Sequence, residues 1–487
     1  MIKKWMWSLT RMIDRILSFK SKQVKQAEDE DVIKQTESQL SDETNAAPGM
    51  QMSDEQKKIE SGIIQLLKND DKTNVELGVQ LCVGLNGVYS GRLASILQRH
   101  VLLCLQYGLE IQHFERVQVL ELQTNNLESL PPEFTKLKQL RKLNLNTNNF
   151  TSFPPEILAL TTLEELMLDG NSITTLPPEI GALPNLELLS IKSCHLKELP
   201  LEVGTLAKLQ ILEVSSNKIS CLPNEIGQLK NLIKLDVSNN QLVKLPSGIG
   251  GLSSLHTLSI NDNKLTELPE IIGQLTQLSI LNVNRNQLTV LPQKAVELQN
   301  LHTLLLNDNS FKIFPTPVLA LNALKQLELA ANYLKIFPLT KGALPNLRLL
   351  KLSSNDITYL SSFIGQLSQL EELGLESNQL QMLPTEIGQL SGLRELSLSS
   401  NQLFELPADI QRLRALMKLD LQYNQLKNLP IEIGHLQNLE VLNLYHNQLT
   451  MLPGEVGLLK ELRELNLVGN QLTHLPPEIG QLSNINF

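Results

Sequence analysis

At 487 residues the chain is long enough for several globular domains, but that expectation lapses where repeats are present, because stacked repeats grow without a single core. Lys and Arg number 42 against 51 Asp and Glu, a formal charge of −9 with a pI near 5.5, so nothing indicates the basic face that a phosphate backbone needs and nucleic acid is not an expected partner. Aromatic residues make up only 4% of the chain, so core volume must come from aliphatic side chains, Leu above all.

Residues 1–25 carry seven bases, Lys3, Lys4, Arg11, Arg15, Lys20, Lys22 and Lys25, against Asp14 alone. As a helix the segment gathers Trp5, Leu9, Met12, Ile13, Ile16 and Phe19 on one face, the pattern of a helix that lies on an anionic membrane or docks on a partner. Trp5, Leu9, Met12, Ile16 and Phe19 are the candidate membrane-contact residues. A secretory signal fits poorly, since the longest charge-free apolar-rich run, Trp5 to Thr10, is too short for its hydrophobic region. No run of apolar residues is long enough to span a bilayer. Residues 26–52 turn acidic and polar, with Ala46, Ala47, Pro48 and Gly49, and read as a disordered linker. Residues 53–116 read as short amphipathic helices opening on Ser53-Asp54-Glu55-Gln56, with further segments at Asn74–Leu85 and Leu93–Tyr107, a helical N-terminal cap for the rest of the chain. Cys82, Cys104, Cys194 and Cys221 are scattered singly, which fits a reducing compartment.

From Val117 onward the pattern L-x-x-L-x-L-x-x-N-x-L-x-x-L-P-x-x-I-G-x-L-x-x recurs sixteen times at a constant 23-residue step, its ninth position running from Asn125 to Asn470 with Cys194 the one replacement. Positions four and twenty-one are Leu in every copy, from Leu120 to Leu465 and from Leu137 to Leu482. In a strand, positions four and six point to one side and three, five and seven to the other. The Asn carries both donor and acceptor for the backbone where the chain leaves the strand. The Pro of Leu176-Pro177 or Leu475-Pro476 opens a turn, and Gly181 or Gly388 suits a tight return. One repeat cannot bury its own apolar face, so stacking is obligatory.

The Leu-Pro-x-Glu-Ile-Gly-x-Leu half-repeats at 176–183, 383–390, 429–436 and 475–482 resemble the intracellular Ras-group leucine-rich-repeat proteins, the Ras-suppressor and scaffold type, and the repeats cover about three quarters of the chain. The resemblance implies an α/β repeat fold, a leucine-rich-repeat solenoid curved like a horseshoe, with a parallel β-sheet on its concave face. It further implies a cytoplasmic, non-catalytic scaffold in signal transduction, with a small GTPase, kinase or phosphatase subunit as partner. The alternative is an exported or membrane-surface recognition protein using the same face.

The inner-face columns are mostly small and polar, as in Ser215 and Ser216, Asn261 and Asp262, Asn284 and Arg285, or Ser353 and Ser354. Toward the C-terminus they change to Glu372, Glu376, Glu395, Lys418, Asp420, Gln422, Tyr423, Asn443, Tyr445 and His446, and these ten are the candidate partner-binding residues. A second irregularity falls on the opposite side of repeats eight to eleven, where Ala295, Lys341 and Ser361 break the pattern near Phe311, Phe314 and Phe337. This reads either as a second docking site or as compensated core packing. No catalytic residue is expected: no HExxH or GxSxG occurs, the eight histidines are dispersed, and Gly84 to Gly91 lacks the Lys of a phosphate loop. No metal and no cofactor are expected. Because the chain stops three residues into a seventeenth copy, at Phe487, an open parallel edge and self-association through it are expected.

Overall fold

The computed structural model describes residues 52–85, 87–482 and 484–485. The basic segment 1–25, with its proposed membrane contacts Trp5, Leu9, Met12, Ile16 and Phe19, lies outside the described residues, as does nearly all of the acidic linker. The chain divides into two compact units. The first holds the helical region up to Leu120, with Leu127–Lys142 and Pro154–Leu163; the second holds Glu121–Asn126, Leu143–Phe153 and Glu164–Phe487.

In the first unit, α1 (Asp54–Leu67) opens with a complete capping box: Ser53 accepts from the Gln56 amide while the Gln56 side chain accepts from Ser53. It packs on α2 (Lys72–Gly84), where Gly78 lets the backbone approach Leu67 closely. The run from Leu93 to Tyr107 is two helices, α3 (Gly91–Leu97) and α4 (Val101–Tyr107), rather than one. The break falls at His100, whose backbone amide turns back to Leu97 and whose ring Nε2 lies 3.0 Å from the Leu67 carbonyl. A short α5 (Ile111–Phe114) comes next, and α4 packs on the first repeat's turn, Pro132–Lys136. Glu60 is buried but accepts from both the amide and the hydroxyl of Ser90.

The repeats form one open sixteen-stranded parallel sheet in strict sequence order, β1 (Val119–Glu121) to β16 (Glu464–Asn466). Each strand spans positions three to five, and register advances by one repeat, so that Glu372 of β12 (Glu372–Gly374) pairs with Glu395 of β13 (Glu395–Ser397). Positions four and six fill the core, as Leu166 and Leu168 do at 0% exposure. On the other side of the core a 3-10 turn such as Pro178–Ala182 returns the chain, begun by a Pro whose fixed φ sets the first bend.

Each mid-array Asn ties its own repeat to the one before. Asn286 accepts from the Leu265 amide at 3.0 Å and donates to the carbonyls of Ile260, Val283 and Asn284 at 3.0, 3.1 and 3.2 Å. Val283's carbonyl in turn accepts from Asn309. This arrangement requires the preceding residue to turn sharply: position eight has positive φ in every repeat, from Thr124 to Gly469. Its amide donates to the next repeat, as Arg285 does to Asn307 at 2.9 Å.

The glycine at position nineteen has a different cause from the tight return expected. Its φ is ordinary, but a Cβ at Gly204, Gly227 or Gly273 would collide with a backbone carbonyl of the next repeat's turn, at Glu225, Gly248 or Lys294. The irregular repeats resolve as core packing. Phe311, Phe314 and Phe337 are buried, the last two edge to face at 5.2 Å. Lys341 points to solvent while Leu339 and Ala343 fill its place, and Ser361 caps its turn by accepting from Phe363.

Candidate functional site

Positions three, five, seven and eight of successive repeats bring their side chains onto the face of the sheet opposite the core. In the N-terminal half of the second unit the charges on this face satisfy one another. Glu213 sits between Lys192 and Lys234, each 2.5 Å away. Against the upward push of burial, hydrogen bonds from these two lysines hold its carboxyl below the usual range.

The C-terminal half differs. All ten candidate residues lie on this face, in β12 to β15 and the turns after them. Glu372, Glu395 and Lys418 are register neighbours in the third-position column, and Glu372 is paired with Lys351 at 3.1 Å. Asp420 accepts from the amide and side chain of Gln422, both at 3.2 Å. Burial pushes its carboxyl above the ordinary value, Glu376 adds to this, and Gln422 and Lys418 oppose it. Asn443 accepts from the Tyr445 amide at 3.2 Å and so shapes the turn that presents the tyrosine.

The rings come together. Tyr423 stacks on His446 with centroids 5.1 Å apart and 8° between planes, while Tyr445 meets both edge-on, at 5.3 Å from Tyr423 and 4.2 Å from His446. A hydrogen bond to Tyr445 raises the Tyr423 hydroxyl above its ordinary value. Tyr423 remains 49% exposed, and Val468, at position seven of repeat sixteen, is 67% exposed. Tyr423 and His446 both occupy the positive-φ position, where bulky side chains are rare. Gly469 makes room for the cluster, because a Cβ there would fall 2.9 Å from the His446 ring.

Sequence reasoning passed over Val468, Gly469 and Gly374, although aligning the face columns exposes each as a departure. It also missed a stripe at position thirteen, Val290, Ile313, Ile336, Tyr359 and Met382, between 40% and 78% exposed across five consecutive repeats. Among the described residues there is no group of three or more His, Cys, Asp or Glu able to hold a metal, and no helix long and apolar enough to cross a membrane.

The strand order, the Asn ladder and the turn chemistry define a class, the parallel-sheet solenoid of leucine-rich repeats with a helical N-terminal region. The sequence matches the leucine-rich repeat region family over residues 178–265 and 335–444, the leucine rich repeat family over 115–173 and 138–196, and the two-copy leucine-rich repeat family over 437–477. The chain belongs to the leucine-rich-repeat proteins. A solved leucine-rich-repeat protein from Leptospira interrogans is similar at 38% identity over 77% of this chain and 97% of its own, with a TM-score of 0.73. The ectodomain of the Arabidopsis thaliana membrane receptor kinase GASSHO1/SCHENGEN3, solved with CASPARIAN STRIP INTEGRITY FACTOR 2, is similar at 30% identity over 74% of this chain and 50% of its own, at TM-score 0.50. The Arabidopsis receptor kinase HAESA, solved with the peptide hormone IDA and the co-receptor SERK1, is similar at 27% identity over 78% and 74%, at TM-score 0.53. No curated protein sequence matches the chain.

Proposed function

We propose that this protein is a non-catalytic scaffold that captures a protein partner on the sheet face of repeats twelve to fifteen. Family and fold are those of generic protein-interaction scaffolds, and two of the similar structures hold peptide or protein ligands. The observation that carries the reading is the ring cluster of Tyr423, Tyr445 and His446, in which Tyr423 and His446 are exposed and stand at positive φ. Aromatic rings with a polar edge supply large contact area at low entropic cost and dominate interface energetics.

An intracellular signalling role, with a small GTPase, kinase or phosphatase subunit as partner, rests on the Leu-Pro-x-Glu-Ile-Gly-x-Leu half-repeat alone. Membrane contact through residues 1–25 rests on their basic amphipathic pattern. The test is affinity capture with the full chain beside a Tyr423→Ala, Tyr445→Ala form, with bound proteins identified by mass. One protein enriched on the first and lost on the second supports the reading, whereas equal capture by both removes the aromatic cluster as its anchor.

A further inference from the structure

Repeat twelve carries glycine at position five, where its neighbours on the sheet face carry Lys351 and Ser397. In place of a side chain, the Glu376 carboxylate and the Ser353 hydroxyl close on the buried Gly374 backbone and define a narrow notch. A Cβ on Gly374 would lie 3.2 Å from the Glu376 Oε2 and 3.3 Å from the Ser353 Oγ, so both oxygens border the same small space. Neither has a hydrogen-bond partner and both are buried; Ser353 as a residue is only 7% exposed. Glu376 acts electrostatically on both Lys351 and Asp420, and Lys351 is already engaged by Glu372.

A buried carboxylate oxygen without a donor is costly, and the cost is recovered when a donor is brought to it. The contrast with Glu213, saturated by two lysines on the same face, is direct. We propose that the Gly374 notch receives a lysine or arginine side chain of the partner, with Glu376 as its counter-ion and Ser353 as a second acceptor. This rests on the partner-capture reading above and adds to it the chemistry of what is captured.

Geometry extends the proposal to a pattern. The notch sits on β12, and the aromatic cluster lies just past β14 (Lys418–Asp420) and β15 (Val441–Asn443), two to three strand spacings away, or ~10–14 Å at ~4.8 Å each. An extended segment crossing the strands covers that distance in about three or four residues at ~3.3 Å per residue. The partner therefore presents a basic residue three or four positions from an aromatic or branched apolar residue, the latter resting on Tyr423, Tyr445 and Val468.

The experiment is selection of phage-displayed random dodecapeptides on the immobilised full chain, repeated on Glu376→Gln, on Gly374→Val and on Tyr423→Ala with Tyr445→Ala, each variant first checked for an unchanged melting profile. The wild-type chain is expected to enrich peptides with Lys or Arg three or four positions from Phe, Tyr, Trp or Leu. Binding of those peptides should fall about 10-fold or more on Glu376→Gln, the size of a lost charge-assisted bond. Glu376→Lys should select an acidic residue in place of the basic one. Enriched peptides without a basic residue, or equal binding to Glu376→Gln and to Gly374→Val, would overturn the notch. If such peptides still depend on Tyr423 and Tyr445, the capture reading stands without it. Selection that fails to distinguish the tyrosine variant from wild type, or that enriches nothing, overturns both.

Discussion

Replacing Asn286 by Ala probes the physics of the repeat most directly. Its side chain is the sole acceptor shown for the Leu265 amide, whereas the Ile260 and Val283 carbonyls each keep a second amide donor, from Asn263 and Asn309. The substitution thus orphans one buried N–H, at ~1–3 kcal/mol, and removes about two further net hydrogen bonds at ~0.5–1.5 kcal/mol each, for a total near 2–6 kcal/mol. That is a large share of the roughly 5–15 kcal/mol typical of a folded chain. Asn470, in the last repeat, makes the same bonds to Leu449, Leu444 and Leu467 but is only half-buried. Water can replace its partners there, so Asn470→Ala should cost about 1 kcal/mol or less. Asn286→Cys should fall between, because Cys194 fills this position naturally with one weak bond to the Leu168 carbonyl at 3.4 Å. The assay is urea unfolding monitored by far-ultraviolet circular dichroism, since both tryptophans, Trp5 and Trp7, precede the described residues. An unchanged slope with a shifted midpoint is required for the comparison. Equal losses for Asn286→Ala and Asn470→Ala would refute the reasoning from burial.

Three further outcomes are expected. Gly227→Ala should destabilise by about 1–3 kcal/mol in the same assay, because its Cβ would overlap the Gly248 carbonyl in the next turn; a neutral result would show that successive turns separate freely. Burial, opposed by the contact with Leu67, holds His100 below its ordinary 6.5. The unfolded chain therefore binds a proton that the folded chain refuses, and stability present above pH 6.5 is lost as pH falls below it. His100→Gln should flatten the melting temperature between pH 7 and 5, and an unaltered slope would exclude this residue as the cause. Of the four thiols only Cys221 is exposed, while burial pushes Cys82 and Cys104 up to about 12. A disulfide reagent on the native chain should titrate one equivalent quickly, with the other three reacting only in denaturant.

What could be read from sequence was whatever the core dictates. Leu166 and Leu168 had to face inward because a 23-residue period leaves no other way to bury them, and parallel pairing is a consequence of that period. The Asn column was legible because few side chains both donate and accept. The reason for Gly227 was not, since it depends on how near the following turn comes rather than on its own φ. Nor was the break between α3 and α4 legible, because it is set by the tertiary contact of His100 with Leu67 and not by Gly or Pro. The ten candidate face residues could be picked by their departure from a small polar column. That three of them would form one ring cluster required the positive φ at position eight, which swings Tyr423 and His446 into line.

That backbone conformation also separates stability from recognition. Small or Asx residues hold position eight in most repeats, among them Ser216, Asn239, Asp262 and Ser400, and Asn tolerates positive φ far better than a ring does. If Tyr423 and His446 served the fold, the core beneath them would need them; yet both rings stand on the exposed side, above Asn424 and Asn447, which already carry the buried hydrogen bonds. Tyr423→Asn with His446→Asn should therefore leave the melting temperature unchanged or raise it, while partner capture is lost. Such a split between stability and binding is what positions retained for contact produce. A fall in melting temperature comparable to that of Asn286→Ala would instead make the ring cluster part of the framework.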